Sequence, residues 1–364
     1  MQDSTNWRTR ATLNLAALEH NVQVVRGKCG QSKLLAVIKS DAYGHGLATV
    51  TTHIADKVDG FAVATINEAI ECREVQKHRP IVLLSQWWAG DQLMVLAEHD
   101  IQPVVHSLEQ LRLLEAYRGK PLSIWLKVDT GMNRLGISMD MLSKAKAELR
   151  TFSSVSSFGI MSHLASADTA SDPQTEEQVN RFSTLVDRVS TPMSLLNSAG
   201  IIHRPEYQFQ WVRPGLMLYG SSPVTEMSAR ELGLQPVMEL QARVISIKDK
   251  VINAGERVGY GGRFTTSRGT KIGIVSIGYG DGYPRSIDNR AYVMIHGLKV
   301  PLIGRISMDM MTVDLTDSPQ TRVGDEVILW GPSLAVDEVA RWASTSAYEL
   351  LCKVTKRVPR VTSI

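Results

Sequence analysis

The sequence predicts an α/β barrel of eight βα units followed by a second, mainly β domain, and three observations support that reading. Eight short apolar runs alternate with stretches of helical spacing from about residue 11 to residue 220, and eight βα units in roughly 200 residues point to a (β/α)8, TIM-like barrel. Beyond Leu232 the texture changes to alternating strands and glycine-rich turns. The chain has 364 residues, too many for one ordinary core, so two domains are expected. The expected division is a barrel over 12–232 and a β domain over 233–364, with residues 1–11 a candidate for pairing with the latter.

The barrel runs follow in order. Residues 13–27 (LNLAALEHNVQVVRG) have helical spacing and precede the first strand, LLAVIKS at 34–40. GFAVAT (60–65) is followed by helical NEAIECREVQ, PIVLLS (80–85) by DQLMVLAEH, and IQPVVHS (101–107) by LEQLRLLEAY. LSIWLKVD (122–129) precedes MLSKAKAELR, and VSSFGIMSHL (155–164) precedes QVNRFSTLVDRV. MSLLNSA (193–199) is followed by the short, irregular GIIHRPEYQ, and QWVRPGLMLYG (210–220) is the eighth run. An open doubly wound sheet is the alternative fold, but no GxGxxG opens a helix after an early strand. In the second domain, helical spacing returns at AVDEVARWA and SAYELLCKV.

Composition excludes several classes. Hydrophobic content of 43% with 21% charged residues is that of a soluble globular protein. A net charge of +3 without a basic block gives no case for nucleic acid or an anionic membrane. Cys29, Cys72 and Cys352 are scattered, without metal-ligand spacing and in odd number. The start, MQDSTNWRTR, has no apolar targeting core, and no long uncharged apolar stretch occurs. A cytoplasmic protein is expected.

In such barrels chemistry gathers at the C-terminal ends of the strands. Lys39 ends the first run, Arg134 follows the fifth in KVDTGMNRLG, and His163 follows the sixth. Asn197 and Ser198 end the seventh, and Arg213, Gly215 and Leu216 interrupt the eighth. Each has an ordinary alternative. A lysine can cap a strand and snorkel to water, a loop arginine is usually solvated, and a lone histidine usually serves structure. Five such positions opening on one face favour a site. A partly desolvated lysine there can attack a carbonyl to form a Schiff base or act as a base.

The segment AVIKSDAYGHG (36–46) resembles the cofactor-lysine segment of bacterial alanine racemases, fold-type III enzymes that hold pyridoxal 5′-phosphate (PLP) on a lysine, and similar motifs recur over roughly residues 7–360. The resemblance implies Lys39 as cofactor lysine and first base. It implies Tyr43 and Tyr348 (AYGHG, AYEL) as phosphate tyrosines, with Ser198 and the backbone around Gly215 and Leu216 as further donors, although tyrosines there could equally be packing residues. WVRPGLMLYG implies that Arg213 faces the pyridine nitrogen, where related decarboxylases place a carboxylate. A fixed cation disfavours pyridinium and so limits delocalisation of a Cα carbanion, which suits racemisation.

Inverting a stereocentre is done most directly by two bases on opposite faces. The resemblance gives Tyr260 of ERVGYGGRF as the second, contributed by another copy, with Tyr279, Met308 and Asp309 (IGYGDG, SMDMM) reaching across beside it. It puts His163 between Tyr260 and Arg213, the substrate carboxylate near Arg134 and the Met308 backbone, and a carbamylated lysine at Lys127. On its own, VGYGG reads as a surface hairpin. The glycine-rich GYGDGYPR lacks the GK[ST] of a phosphate loop.

Two departures stand out. The family commonly reads KANAYGHG, whereas Ser40 and Asp41 follow the lysine here, and an inward Asp41 carboxylate would raise the Lys39 pKa. Trp87 and Trp88 stand where smaller aromatics are usual, bearing on a surface or an entrance. Taken together these features imply a homodimeric, PLP-dependent alanine racemase supplying D-alanine for peptidoglycan or alanine catabolism. The alternatives are a racemase for serine, lysine or arginine, and a PLP-dependent amino-acid decarboxylase of the same fold. The latter calls for an acid at Arg213 and a reactive C-terminal cysteine, and Cys352 reads as core. A non-catalytic PLP carrier has no use for Tyr260, and a metal-dependent barrel enzyme is disfavoured because the nine histidines lack paired spacing.

Overall fold

The computed structural model describes residues 7–185, 191–288 and 290–363. Eight parallel strands close into a barrel: β2 (Lys33–Val37), β3 (Gly60–Val63), β4 (Ile81–Leu83), β5 (Ile101–Val105), β6 (Leu122–Lys127), β7 (Val155–Met161), β8 (Met193–Asn197) and β9 (Trp211–Arg213). Closure is made by β2 against β9, with Lys33 opposite Trp211 and Leu34 opposite Val212. Several of these strands are buried on both faces, which is why they read as unbroken apolar runs rather than as alternation. Each of the eight expected runs contains one strand, and the short segment after β8 is the helix Ser198–His203. The helix Pro173–Ser183 covers the first half of the stretch QVNRFSTLVDRV; residues 186–189 of that stretch lie outside the described residues.

A helix that the sequence reading did not single out, Leu47–Ile54, follows β2. Its valine, threonines and isoleucine are poor helix formers, and the buried face of Leu47, Val50 and Ile54 holds it in place instead.

The second unit is built around β1 (Thr9–Asn14) and the long β10 (Met238–Ile247). The hairpin β11 (Arg257–Val258) and β12 (Phe264–Thr265) stands apart. β13 (Ile272–Val275), β14 (Tyr292–Ile295), β15 (Leu298–Pro301), β16 (Met311–Asp314), β17 (Glu326–Trp330) and β18 (Arg360–Ser363) complete a sheet ordered β15-β14-β17-β10-β1-β18, with β13 and β16 branching from β10. The first and last strands of the chain are therefore neighbours: β1 pairs with β10 antiparallel and with β18 parallel. The N-terminal strand belongs to this sheet and runs to Asn14, past the expected boundary at Thr12. Its alternating burial, one face in and one out, explains its alternating sequence.

Candidate active site

Lys39 sits just beyond β2, where the backbone does something unusual. Ser40, Asp41, Ala42 and Tyr43 all have φ between 52° and 54°, and Gly44 follows at 78°, a left-handed turn whose first four residues are not glycine. At about 1–2 kcal/mol per residue such a turn is costly, and it persists only where its surroundings fix it. Ala42 N–H donates to the Ile38 carbonyl (2.8 Å) and Gly46 N–H to that of Asp41 (3.0 Å). The Asp41 carboxylate accepts from Leu47 N–H at 2.7 Å, at the start of the helix Leu47–Ile54. The condition for an effect on Lys39 is not met: Asp41 is exposed and serves the backbone of the next helix rather than pointing inward. Ser40 N–H donates to Glu68 Oε1 at 2.6 Å.

The strand ends open onto a cavity of about 660 Å³. Lys39, Lys127, Arg134, His163 and Arg213 line it, together with Tyr43, Asn197, Ser198, Gly215, Leu216 and Tyr348 among others. Lys39 is held below the ordinary lysine pKa, first by burial and then by Arg134, with Cys352 and Glu68 opposing. Lys127, 9% exposed, is pushed to about 8 by burial, and then by Arg213, Arg134 and Lys39. Four cationic side chains thus converge, and each makes its neighbours easier to deprotonate.

Arg213 is the most firmly held of them. NH1 donates to Ser194 Oγ (2.6 Å), and NH2 to the carbonyls of Ser162 (2.5 Å) and Leu195 (3.0 Å). NH2 also lies 3.3 Å from His163 Nδ1. Among the described residues no carboxylate pairs with it, and burial lowers its pKa to about 10, still a cation at neutral pH. His163 is pushed well below its ordinary pKa by burial and then by Arg213, so it faces the guanidinium as a neutral ring.

At the other side, Ser198 Oγ accepts from Gly215 N–H at 2.8 Å and ties the start of the β8 helix to the turn after β9. Asn197 caps that helix through Gly200 N–H (2.9 Å). A Cβ at Gly215 would lie 2.6 Å from Tyr43 Oη, so the glycine keeps the space between the turn and the phenol open. The Tyr43 ring stacks on Tyr219 at 4.7 Å and lies 5.8 Å from Tyr348. Tyr219 spends its hydroxyl on the Val37 carbonyl (3.1 Å), whereas the Tyr43 hydroxyl has no partner among the described residues. An unpaired phenol, a serine hydroxyl and backbone amides form a donor set suited to a bound phosphate, with Lys39, the cationic Arg213 and the neutral His163 lining the same cavity.

Four expected residues are elsewhere. Tyr260, 68% exposed, stands between β11 and β12, and Tyr279 and Met308 are exposed on the second domain. Tyr279 N–H donates to the Ser307 carbonyl (3.0 Å) and Gly280 N–H to that of Met308 (2.8 Å), which joins these two loops. Asp309 accepts from Arg357 at 2.6 Å. None of the four lines the Lys39 cavity of its own chain. The glycine-rich GYGDGYPR is a turn anchored by Asp281, which pairs with Arg8.

The structure also adds residues. Cys352, expected in the core, is exposed and lines the cavity near Lys39; the apolar spacing of its helix hid the fact that it faces the opening. Glu68 was announced by T-x-x-E at Thr65–Glu68, a capping signature that is present in the structure. Trp87 is buried and donates to the Val104 carbonyl (2.7 Å), while Trp88 is exposed. Among the described residues no cluster of histidine, cysteine and carboxylates could hold a metal ion, and no helix is long and apolar enough to cross a membrane.

Fold and site together define a (β/α)8 barrel with a half-buried lysine just beyond its first strand and a polar cavity at the C-terminal ends of its strands. Residues 13–223 match the family model "Alanine racemase, N-terminal domain" and residues 237–362 match "Alanine racemase, C-terminal domain". The chain belongs to the alanine racemase family. It is 45% identical over 350 residues to the alanine racemase of Vibrio cholerae, covering 96% of each chain. It is 43% identical over 351 residues to that of Stutzerimonas stutzeri, covering 96% of this chain and 98% of the other. Among solved structures, the biosynthetic alanine racemase of Pseudomonas aeruginosa superposes with a TM-score of 0.96 at 42% identity, covering 99% of this chain and 100% of that one. The alanine racemase of Bartonella henselae, described with covalently bound pyridoxal phosphate, does so with a TM-score of 0.89 at 29% identity, covering 98% and 100%.

Proposed function

We propose that this protein interconverts L- and D-alanine with pyridoxal 5′-phosphate held on Lys39. The observation that carries this is a buried arginine with no carboxylate partner among the described residues, in the same cavity as a depressed-pKa lysine and a phenol likewise unpaired among them. The residues fit the group. Tyr43, Ser198, Tyr348 and the backbone at Gly215 and Leu216 would hold the phosphate, and Arg213 would face the ring nitrogen. When bound, PLP supplies an electron sink that acidifies the substrate Cα–H.

The chain's own residues then do the rest. Lys39, whose amine sheds its proton more readily than an ordinary lysine, moves a proton at Cα from one face. Arg213, anchored by Ser194, Ser162 and Leu195, keeps a permanent positive charge away from any acid that could protonate the ring. Arg134 binds the substrate carboxylate, and Lys127, poised near pH 8 among cations, gains by carrying a carbamate whose charge offsets theirs. Asn197 and His163 orient the cradle and Arg213.

The second base is Tyr260 from a second copy, with Tyr279, Met308 and Asp309 completing the entrance, because within one chain none of the four lines the cavity. The functional unit is therefore a cytoplasmic homodimer with two equivalent sites. The test is to incubate the purified, PLP-loaded protein with each alanine enantiomer and follow the other by chiral chromatography. Approach to an equimolar mixture from both sides is expected, and loss of it in Lys39→Ala. Racemisation of serine, lysine or arginine but not alanine would replace the substrate, and carbon dioxide release would replace the reaction.

A further inference from the structure

The Glu68 carboxylate accepts from three backbone amides. Oε2 takes those of Ala64 (2.9 Å) and Thr65 (3.1 Å) at the end of β3, and Oε1 takes that of Ser40 (2.6 Å), the residue after Lys39. One side chain therefore ties together the ends of two neighbouring barrel strands, and it does so at the first residue of the left-handed turn. Four successive residues of that turn, Ser40 to Tyr43, are not glycine, so its geometry depends on such external restraints.

We propose that Glu68 is a positioning residue for Lys39: by clamping the Ser40 amide it fixes the turn from which the lysine side chain is aimed into the cavity. This rests on the reading of Lys39 as cofactor lysine and base. The clamp also sets a negative charge near the amine. The groups facing Lys39 are Arg134 from the loop after β6, Lys127 at the end of β6, His163 after β7, Cys352 from the helix Ala347–Lys353, and Glu68 from the helix Ile66–Val75, with Tyr43 and Tyr348 lining the same space. Of these, Cys352 and then Glu68 favour the ammonium, and Arg134 opposes it.

Glu68→Gln therefore has two effects of opposite sense. Losing the anion lets Lys39 deprotonate at lower pH, so the amine becomes more reactive. Losing the clamp lets the lysine wander, so turnover falls. The experiment labels the cofactor-free full-length chain with acetic anhydride across pH, reads Lys39 and the exposed Lys33 by mass spectrometry, and measures kcat after reloading with PLP. In Glu68→Gln the Lys39 midpoint moves to lower pH while Lys33 stays, and kcat falls about tenfold or more.

Glu68→Asp keeps the charge but shortens the reach to Ser40, so kcat falls with little movement of the midpoint. Thr65→Ala removes the cap on Glu68 N–H (3.2 Å) and leaves the clamp, so neither quantity moves. A Glu68→Gln enzyme with the parent's midpoint and kcat overturns the proposal, as does a Thr65→Ala enzyme that reproduces both changes. Should the parent form no D-alanine, the functional reading fails, while hydrogen exchange at the Ser40 amide, faster in Glu68→Gln than in the parent, still judges the clamp.

Discussion

Removal of the Tyr43 hydroxyl separates a cofactor contact from a structural one. In Tyr43→Phe the ring keeps its stacking on Tyr219 and its contact with Tyr348, and the deleted hydroxyl has no protein partner to strand. The cofactor-free protein should therefore unfold within about 0.5 kcal/mol of the parent. With PLP the balance differs, because a hydrogen bond to a charged group contributes roughly 1.5–3 kcal/mol. At 1.4 kcal/mol per factor of ten, the PLP dissociation constant should rise about 10- to 150-fold. The assay is an absorbance titration of the cofactor-free protein with PLP, alongside urea denaturation of the same preparation. An unchanged dissociation constant refutes the phosphate role. A loss of more than about 1 kcal/mol without cofactor would show instead that the phenol serves packing or an internal bond.

Further outcomes follow from the same geometry. Gly215→Ala sets a methyl 2.6 Å from the Tyr43 oxygen, and overpacking of about 1–3 kcal/mol should displace the phenol and weaken PLP binding, read in the same titration. Lys127 has a folded pKa of about 8 against an unfolded 10.5. The unfolded chain thus holds the proton more tightly, and the penalty is full below pH 8 and relieved as pH rises toward 10.5. Lys127→Met should accordingly stabilise the protein in CO2-free buffer at pH 7 by up to roughly 3 kcal/mol, with the advantage shrinking in alkaline solution; equal stability at both pH values contradicts this. Lys39→Ala and Tyr260→Phe should each be inactive, yet mixing and reassociating them should restore about a quarter of the parental activity, since half the dimers become mixed and each has one complete site. Failure to recover any activity would rule out the composite site.

The barrel was legible because its strands are buried on both sides and appear as apolar runs, and because the residues after those runs were polar in a pattern that only a common open end explains. Lys39, His163, Asn197, Ser198 and Arg213 line the cavity for that reason. The left-handed turn was not legible: Ser40, Asp41, Ala42 and Tyr43 have no bias toward positive φ strong enough to announce it, and its restraints come from Glu68 and Leu47, outside the turn. The bearing of Asp41 on Lys39 stayed open in the sequence, because its charge is visible there while its direction is not. Cys352 misled for the converse reason, since apolar spacing marks a helix's buried face but not the residue at its edge. Tyr260 is exposed on its own chain and away from the Lys39 cavity, which agrees with the surface hairpin that its glycine-rich surroundings alone suggest.

The most direct test is borohydride reduction of the PLP-loaded protein followed by peptide mapping, with D-alanine formation measured on an unreduced sample. The account predicts a single pyridoxyl label on Lys39 and conversion of L-alanine to D-alanine. A label on another lysine, or none after PLP is added, would contradict it.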